Sequence, residues 1–484
     1  MLDQLTSQQR KLVYMAGIVV LMIPIVWLGL PEGSNPDEMK GRLASIRTEQ
    51  ELGQSTFGNV DPASSSMTLV LFGFRGIAAS MLWYQADELR SQKNWSELQR
   101  TAESIVLLQP HFWNVWDQQA WNLAYNVSAE FDDVRDRFFW VKQGGKFLQS
   151  GVERNRKVPE LYHYMGEFVG RKIGYSDEKD LFRKYFMHDP DEAFDADGVP
   201  DNDGFPEDDW EDNGADPEIN PGKRFEKLGA MDNYLVAREW YREANRVLMN
   251  EAGGEQHKMA DILFRAAPYK STMDYARARS REGLFDETTR RAWEEALDAW
   301  LNEYGKTQFA TTFKGMITLN GTREELQKLI EQDQETAGAT YSLEEKIAVQ
   351  GREQDLTNYR YWQTLCEVER LPEMVQARRM IYDGRQAWLQ FGDAVKAEQS
   401  LIPGMQQFEQ ILNTFQDGML LKEDEGFEFI EDAIDAVLLY QTINAGRPLP
   451  DEYPLKSIYE STEEKIIGIR NERQERFSRE MFQR

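Results

Sequence analysis

Apolar side chains recur three and four residues apart in segment after segment of this 484-residue chain, and that spacing constrains the fold more than any single motif. A side chain returns to one helical face every 3.6 residues, so each such segment has a stripe to bury. The spacing predicts helices over roughly 75–91, 95–108, 112–127, 132–154 and 160–173. After an interruption it predicts them at roughly 230–250, 257–266, 270–282, 285–303, 322–334, 342–369, 372–391, 392–416, 424–444 and 455–480. Alternating apolar runs bounded by hairpin dipeptides are missing, which argues against a sheet. With 41% apolar residues the chain can bury a large body, and its length exceeds one ordinary core.

The helices also repeat as pairs. Counting back from Pro110 over a helix-turn-helix unit of about 34 residues, Ala86, Leu89, Trp95, Leu98, Ala102 and Ile105 occupy the small, apolar and aromatic positions of a tetratricopeptide (TPR) repeat. Ala276, the turn glycine Gly283, Phe285 and Ala292 keep the same mutual spacing, with Trp300 at the closing position. Trp388, Gly392, Ala397 and Leu401 mark a weaker third unit. Small residues let paired helices approach while aromatics fill the wedge between pairs, so stacked units bury what one cannot. The fold class implied is all-α, an N-terminal transmembrane helix followed by a TPR-like α-solenoid of helix pairs.

The aromatic-rich stretch LLQPHFWNVWDQQAWNLAYNVS, Leu107 to Ser128, fits this scheme. On a helix Trp113, Trp116, Ala120, Ala124 and Val127 share one face, with Phe112, Trp121 and Tyr125 beside it. The polar remainder, Asn114, Gln118, Asn122 and Asn126, steps by four residues into one stripe. That stripe either contacts a binding partner or hydrogen-bonds to adjacent helices.

From Leu12 to Leu30 no residue is charged, and the run is long enough for a bilayer core of ~30 Å. Arg10 and Lys11 precede it while Glu32, Asp37 and Glu38 follow before the first lysine, which places the N-terminus in the cytoplasm. Leu30-Pro31-Glu32 makes a poor cleavage site, so the segment reads as an uncleaved anchor. The apolar run Met67 to Tyr84 carries Arg75 at its centre and reads as a buried repeat helix. The expected organisation is a cytoplasmic N-terminus (1–11), transmembrane helix (12–31), polar stalk (32–65), N-terminal TPR-like repeats (66–187), acidic insertion (188–221), C-terminal TPR-like repeats (222–450) and a charged C-terminal helix (451–484).

The run LFGFRGIAASMLWYQADELRSQKNWSELQRTAESIVLLQPHFWNVWDQQAWNLAYNVS, with VPELYHYMGEFVGRKIG and MDNYLVAREWY, resembles a family of bacterial membrane-anchored, TPR-like proteins of largely unknown function, some of whose members carry the label iron responsive element. The resemblance covers roughly residues 67–245. It implies a bacterial membrane protein and transfers no catalytic residue; with the charge pattern around residues 12–30, the expectation is a single pass through the inner membrane and a largely extracytoplasmic chain.

The acidic insertion holds fourteen carboxylates and no Lys or Arg, about half of the net charge of minus 27. Its six-residue steps Asp-x-Asp-Gly-x-Pro resemble the centre of a calcium loop, with Asp195, Asp197, Asp201, Asp203 and Glu207 as ligands. With Asp197 and Gly198 at positions five and six of an EF-hand loop, however, the first and twelfth positions are Ala193 and Gly204. A solvated acidic loop is therefore the competing reading. Glu160, His163 and Glu167 share a helical face, and Glu-x-x-His is the unit of di-iron bundles, yet no second such motif occurs. A hydrogen-bonded interhelix histidine explains it more simply.

Other chemistries are poorly supplied. The negative charge argues against nucleic acid as a partner. Cys366 is the only cysteine, so an intramolecular disulfide is excluded, and no histidine neighbours it in sequence. Gly305-Lys306-Thr307 and Gly144-Gly145-Lys146 lack the rest of a phosphate-binding loop. Arg470, Arg473, Arg476 and Arg479, interleaved with glutamates, read as a solvated helix. The expected function is an extracytoplasmic protein-interaction scaffold that contacts other proteins through the repeat groove, not an enzyme. The alternative is a metal-dependent enzyme with a site around Glu160, His163 and Glu167.

Overall fold

A computed structural model describes residues 75–108, 110–187 and 232–482, with short breaks at 255–256, 258–260, 312–314, 338–340, 423, 446 and 448. The described chain is all-α apart from one short hairpin. Among the described residues no helix is long and apolar enough to cross a membrane. The span expected at 12–31, the stalk at 32–65 and the acidic insertion at 188–221 lie outside the described residues. The described residues form two compact units, 75–132 with 139–161, and 133–138 with 162–482.

The first unit is built from α1 (Arg75–Ser91), α2 (Trp95–Leu108), α3 (Asn114–Trp121) and α4 (Val134–Arg154), whose first turn belongs to the second unit. Helix α3 continues through a π-helical turn, Asn122–Val127. The spacing predicts the α1–α2 hairpin correctly: Ala86, Leu98, Ala102 and Ile105 are all buried, and the two helices pack on each other. In the aromatic stretch, Trp116 is the keystone. Its indole donates to the Pro110 carbonyl at 2.9 Å, and Asn155 donates to the same oxygen at 2.9 Å. The Phe147 ring lies 5.0 Å from its own. Gly151 in α4 passes directly beneath, where a Cβ would stand 2.6 Å from Trp116 Cγ. Burial of such an indole is worth a few kcal/mol, so Trp116 holds the unit together.

The second unit takes in α5 (Pro159–Glu167) from Tyr162 onward, extended by a π turn Phe168–Lys172, and α6 (Lys179–Met187), a helix that the spacing does not anticipate. Helices α7 (Asn233–Asn250), α8 (Ile262–Arg265), α9 (Ala267–Arg281) and α10 (Glu287–Ala299) follow, the last extended by a π turn Trp300–Tyr304. A π turn frees carbonyls, and neighbouring side chains capture them. Asn233 donates to Val169 O at 3.0 Å, and Tyr359 donates to Trp300 O at 3.2 Å while Trp300 returns a bond to Tyr359 O at 3.1 Å. The predicted α9–α10 hairpin is present. Gly283 closes α9 at φ +82°, and a Cβ there would also stand 2.5 Å from the Tyr382 ring. Asp286 then caps α10 by accepting from Thr289 N at 3.0 Å.

Beyond α10 the strands β1 (Phe309–Thr311) and β2 (Gly315–Ile317) pair antiparallel, which corrects the expectation of no sheet. The hairpin is fixed by tertiary contacts to α11 (Arg323–Ala337) and α12 (Leu343–Thr357). Gln350 donates to Thr318 O at 2.9 Å, and the fully buried Lys346 reaches Asp333 at 2.8 Å. The single helix expected over 342–369 is two, because Asn358 turns left-handed at φ 53° between α12 and α13 (Tyr359–Glu369).

Helices α14 (Pro372–Phe391) and α15 (Ala394–Thr414) form the third predicted hairpin, with Gly392 at φ +63° and Ala397 and Leu401 buried. The chain ends in α16 (Met419–Lys422), the strongly apolar α17 (Phe427–Ile443), α18 (Lys456–Tyr459) and α19 (Glu464–Phe482). The reading of α19 as a solvated helix is corrected. Ile466 and Ile469 are buried, and Arg473 reaches Asp435 at 2.9 Å and Glu431 at 3.7 Å on α17.

Candidate functional site

A groove of about 140 Å³ opens in the first unit. Helix α1 contributes Trp83, Ala86, Asp87 and Arg90, α2 contributes Leu98, and α3 contributes Gln118, Gln119, Trp121, Asn122 and Asn126. Three of the four stripe residues therefore line it. Asn114 is exposed but does not, for a geometric reason: eight residues of α-helix turn it about 80° away from Asn122. The groove lies where the first helices of two successive hairpins face each other, which is why residues thirty or more positions apart meet.

The groove combines apolar walls with an unsatisfied amide. Ala86 and Leu98 are buried, and Trp121 is 51% exposed while stacking on Tyr125 with ring centres 5.1 Å apart. Asn122 is only 5% exposed. Its Oδ1 accepts from Asn126 Nδ2 at 2.8 Å, and its Nδ2 has no hydrogen-bond partner. A buried N–H without an acceptor costs about 1–3 kcal/mol. Arg90 and Asp87 pair with each other at 2.6 Å.

The second unit holds a larger cavity, about 220 Å³, among α9, α13, α14 and α17. Its lining is charged, and most of its carboxylates are paired with arginines. Arg277 meets Glu428 at 2.9 Å, Arg378 meets Asp432 at 2.9 Å and Glu369 at 2.8 Å, and Asp435 meets Arg473 at 2.9 Å. Burial pushes the Glu369 carboxyl up, opposed by the Arg378 guanidinium. Sequence reading missed this cavity. The spacing of Glu428, Glu431, Asp432 and Asp435 marks an acidic face on α17, but the arginines that answer it come from remote helices.

His163 does not sit in a carboxylate cluster. Its ring lies 4.9 Å from Tyr241 and 4.8 Å from Phe264, and burial, helped by the Arg171 charge, pulls its pKa down to about 4. Glu167 turns to Arg171 at 3.6 Å, and Glu160 is buried. Among the described residues no group of three or more His, Cys, Asp or Glu side chains is placed to hold a metal ion. The calcium ligands expected at Asp195, Asp197, Asp201, Asp203 and Glu207 lie outside the described residues. Cys366 is buried and its thiol is pushed up by desolvation, which disfavours the reactive thiolate. Lys306 pairs with Glu325 at 2.7 Å, and Gly144 packs against α3 inside α4.

No family model, curated protein or solved structure matches this chain.

Proposed function

We propose that the chain is a membrane-anchored, TPR-like helical-repeat protein whose array lies on the extracytoplasmic side and binds other proteins, with the groove between α1 and α3 as a docking surface. The observation that carries this reading is the placement of Gln118, Asn122 and Asn126 along that groove, with the Asn122 Nδ2 buried and unpartnered. An amide stripe that served only to tie α3 to its neighbours would be consumed by them. The neighbouring exposed aromatic, Trp121, adds the kind of side chain that dominates binding energy at interfaces. Helix pairs stacked in series present such surfaces without any catalytic group.

The test is in-cell cross-linking, detergent solubilisation and affinity purification of the full chain, with mass spectrometry of what is captured. A variant with Gln118, Asn122 and Asn126 all changed to alanine runs alongside, its folding checked by circular dichroism. The proposal expects a reproducible protein partner that the variant loses. A partner captured equally by both would remove the groove from the account, and stoichiometric transition metal with no partner would replace the scaffold with an enzyme.

A further inference from the structure

We infer that the α1–α3 groove takes an uncharged internal stretch of an extended peptide, seating one apolar or aromatic side chain among Trp83, Leu98 and Trp121 and donating the Asn122 Nδ2–H to a backbone carbonyl oxygen. This rests on the groove being a docking surface and adds the chemistry of what docks. The contrast is with capture of a terminal carboxylate, the other use to which groove amides can be put.

Charge is the first ground. The only ionisable residues lining the groove are Asp87 and Arg90, and they satisfy each other at 2.6 Å. The lining is neutral as a whole. A carboxylate would have to compete with Asp87 for one guanidinium and would find no second cation, whereas an uncharged segment disturbs nothing. The second ground is the donor. Asn122 is buried, its oxygen is already engaged by Asn126, and one N–H remains without an acceptor. A single neutral donor matches a single carbonyl oxygen. The walls supply the third. Trp121 is held by its stack on Tyr125 yet half exposed, so it offers a preorganised apolar face at little entropic cost. A volume of about 140 Å³ suits one side chain.

The experiment presents the full chain, in detergent, with a library of fluorescent octapeptides varied at the central positions. Each is made acetylated and amidated, and again with a free terminal carboxylate. The inference expects binders with an apolar or aromatic central residue whose amidated form binds within about threefold of the free acid. Asn122→Leu should weaken them about tenfold, the loss of one hydrogen bond, while melting no lower than the wild type. Trp121→Ala should weaken them similarly. Binders that require the free carboxylate and are lost in Arg90→Gln overturn the inference in favour of end capture. Binding confined to an oligosaccharide array overturns it in favour of a glycan. If no peptide binds, the inference falls, and partner capture by the full chain separates the cases: capture that still depends on Gln118, Asn122 and Asn126 preserves the docking surface, and no capture removes both.

Discussion

Acid should weaken the second unit through His163. The ring is buried against Tyr241 and Phe264, and desolvation, with the Arg171 charge added, holds its pKa at about 4 against an ordinary value of 6.5. The folded-state value is depressed, so between the two the unfolded chain binds a proton that the folded chain refuses. Stability from this residue is complete above about pH 6.5 and is lost as pH falls toward 4. At about 1.4 kcal/mol per pKa unit, the loss comes to about 2 kcal/mol by pH 5 and about 3 kcal/mol by pH 4. Urea unfolding followed by tryptophan fluorescence at pH 7.5 and pH 5.0, for the wild type and His163→Leu, isolates the contribution. The wild type should lose about 2 kcal/mol more than the variant over that interval. Equal losses would mean that His163 is accessible to protons when folded, and the reasoning from its burial would be wrong.

Three further predictions follow from packing and charge. Arg378→Met leaves Glu369 buried without its guanidinium and should cost about 3–5 kcal/mol, most of it recovered by adding Glu369→Gln; denaturant midpoints of the single and double variants decide it. Gly151→Ala drives a methyl against the Trp116 ring and should destabilise the first unit by about 1–3 kcal/mol, whereas Gly351→Ala, with open space around it, should be neutral or slightly stabilising by thermal melting. Calcium titrated into the full chain should protect residues 188–221 from proteolysis through Asp195, Asp197, Asp201, Asp203 and Glu207; unchanged cleavage with no bound calcium would leave that segment as a solvated acidic loop.

Much of the helical layout was legible because amphipathic spacing, small residues and turn glycines are local signals. Ala86, Leu98, Ala102 and Ile105 mark one hairpin, and Gly283 and Gly392 mark the turns of two more by adopting positive φ, which glycine tolerates. What escaped depends on partners distant in sequence. The strands around Phe309 and Ile317 are three residues each, too short for a period to register, and they persist because Asp333, Lys346 and Gln350 hold them. Asn358 breaks a helix with no glycine to announce it. Arg473 reads as one of a solvated row until α17 presents Asp435. The groove was half legible: a four-residue step picked out Gln118, Asn122 and Asn126, but it also included Asn114, and nothing local links them to Trp83 or Arg90 on α1.

The most direct test of the docking surface is site-specific photo-cross-linking in living cells, with a photoreactive amino acid in place of the exposed groove residue Gln118. The account predicts a discrete protein adduct from that position that disappears when Asn122→Leu is added to a chain that still folds. No adduct at Gln118, or one indifferent to Asn122, would contradict the claim that this groove is where the protein meets its partner.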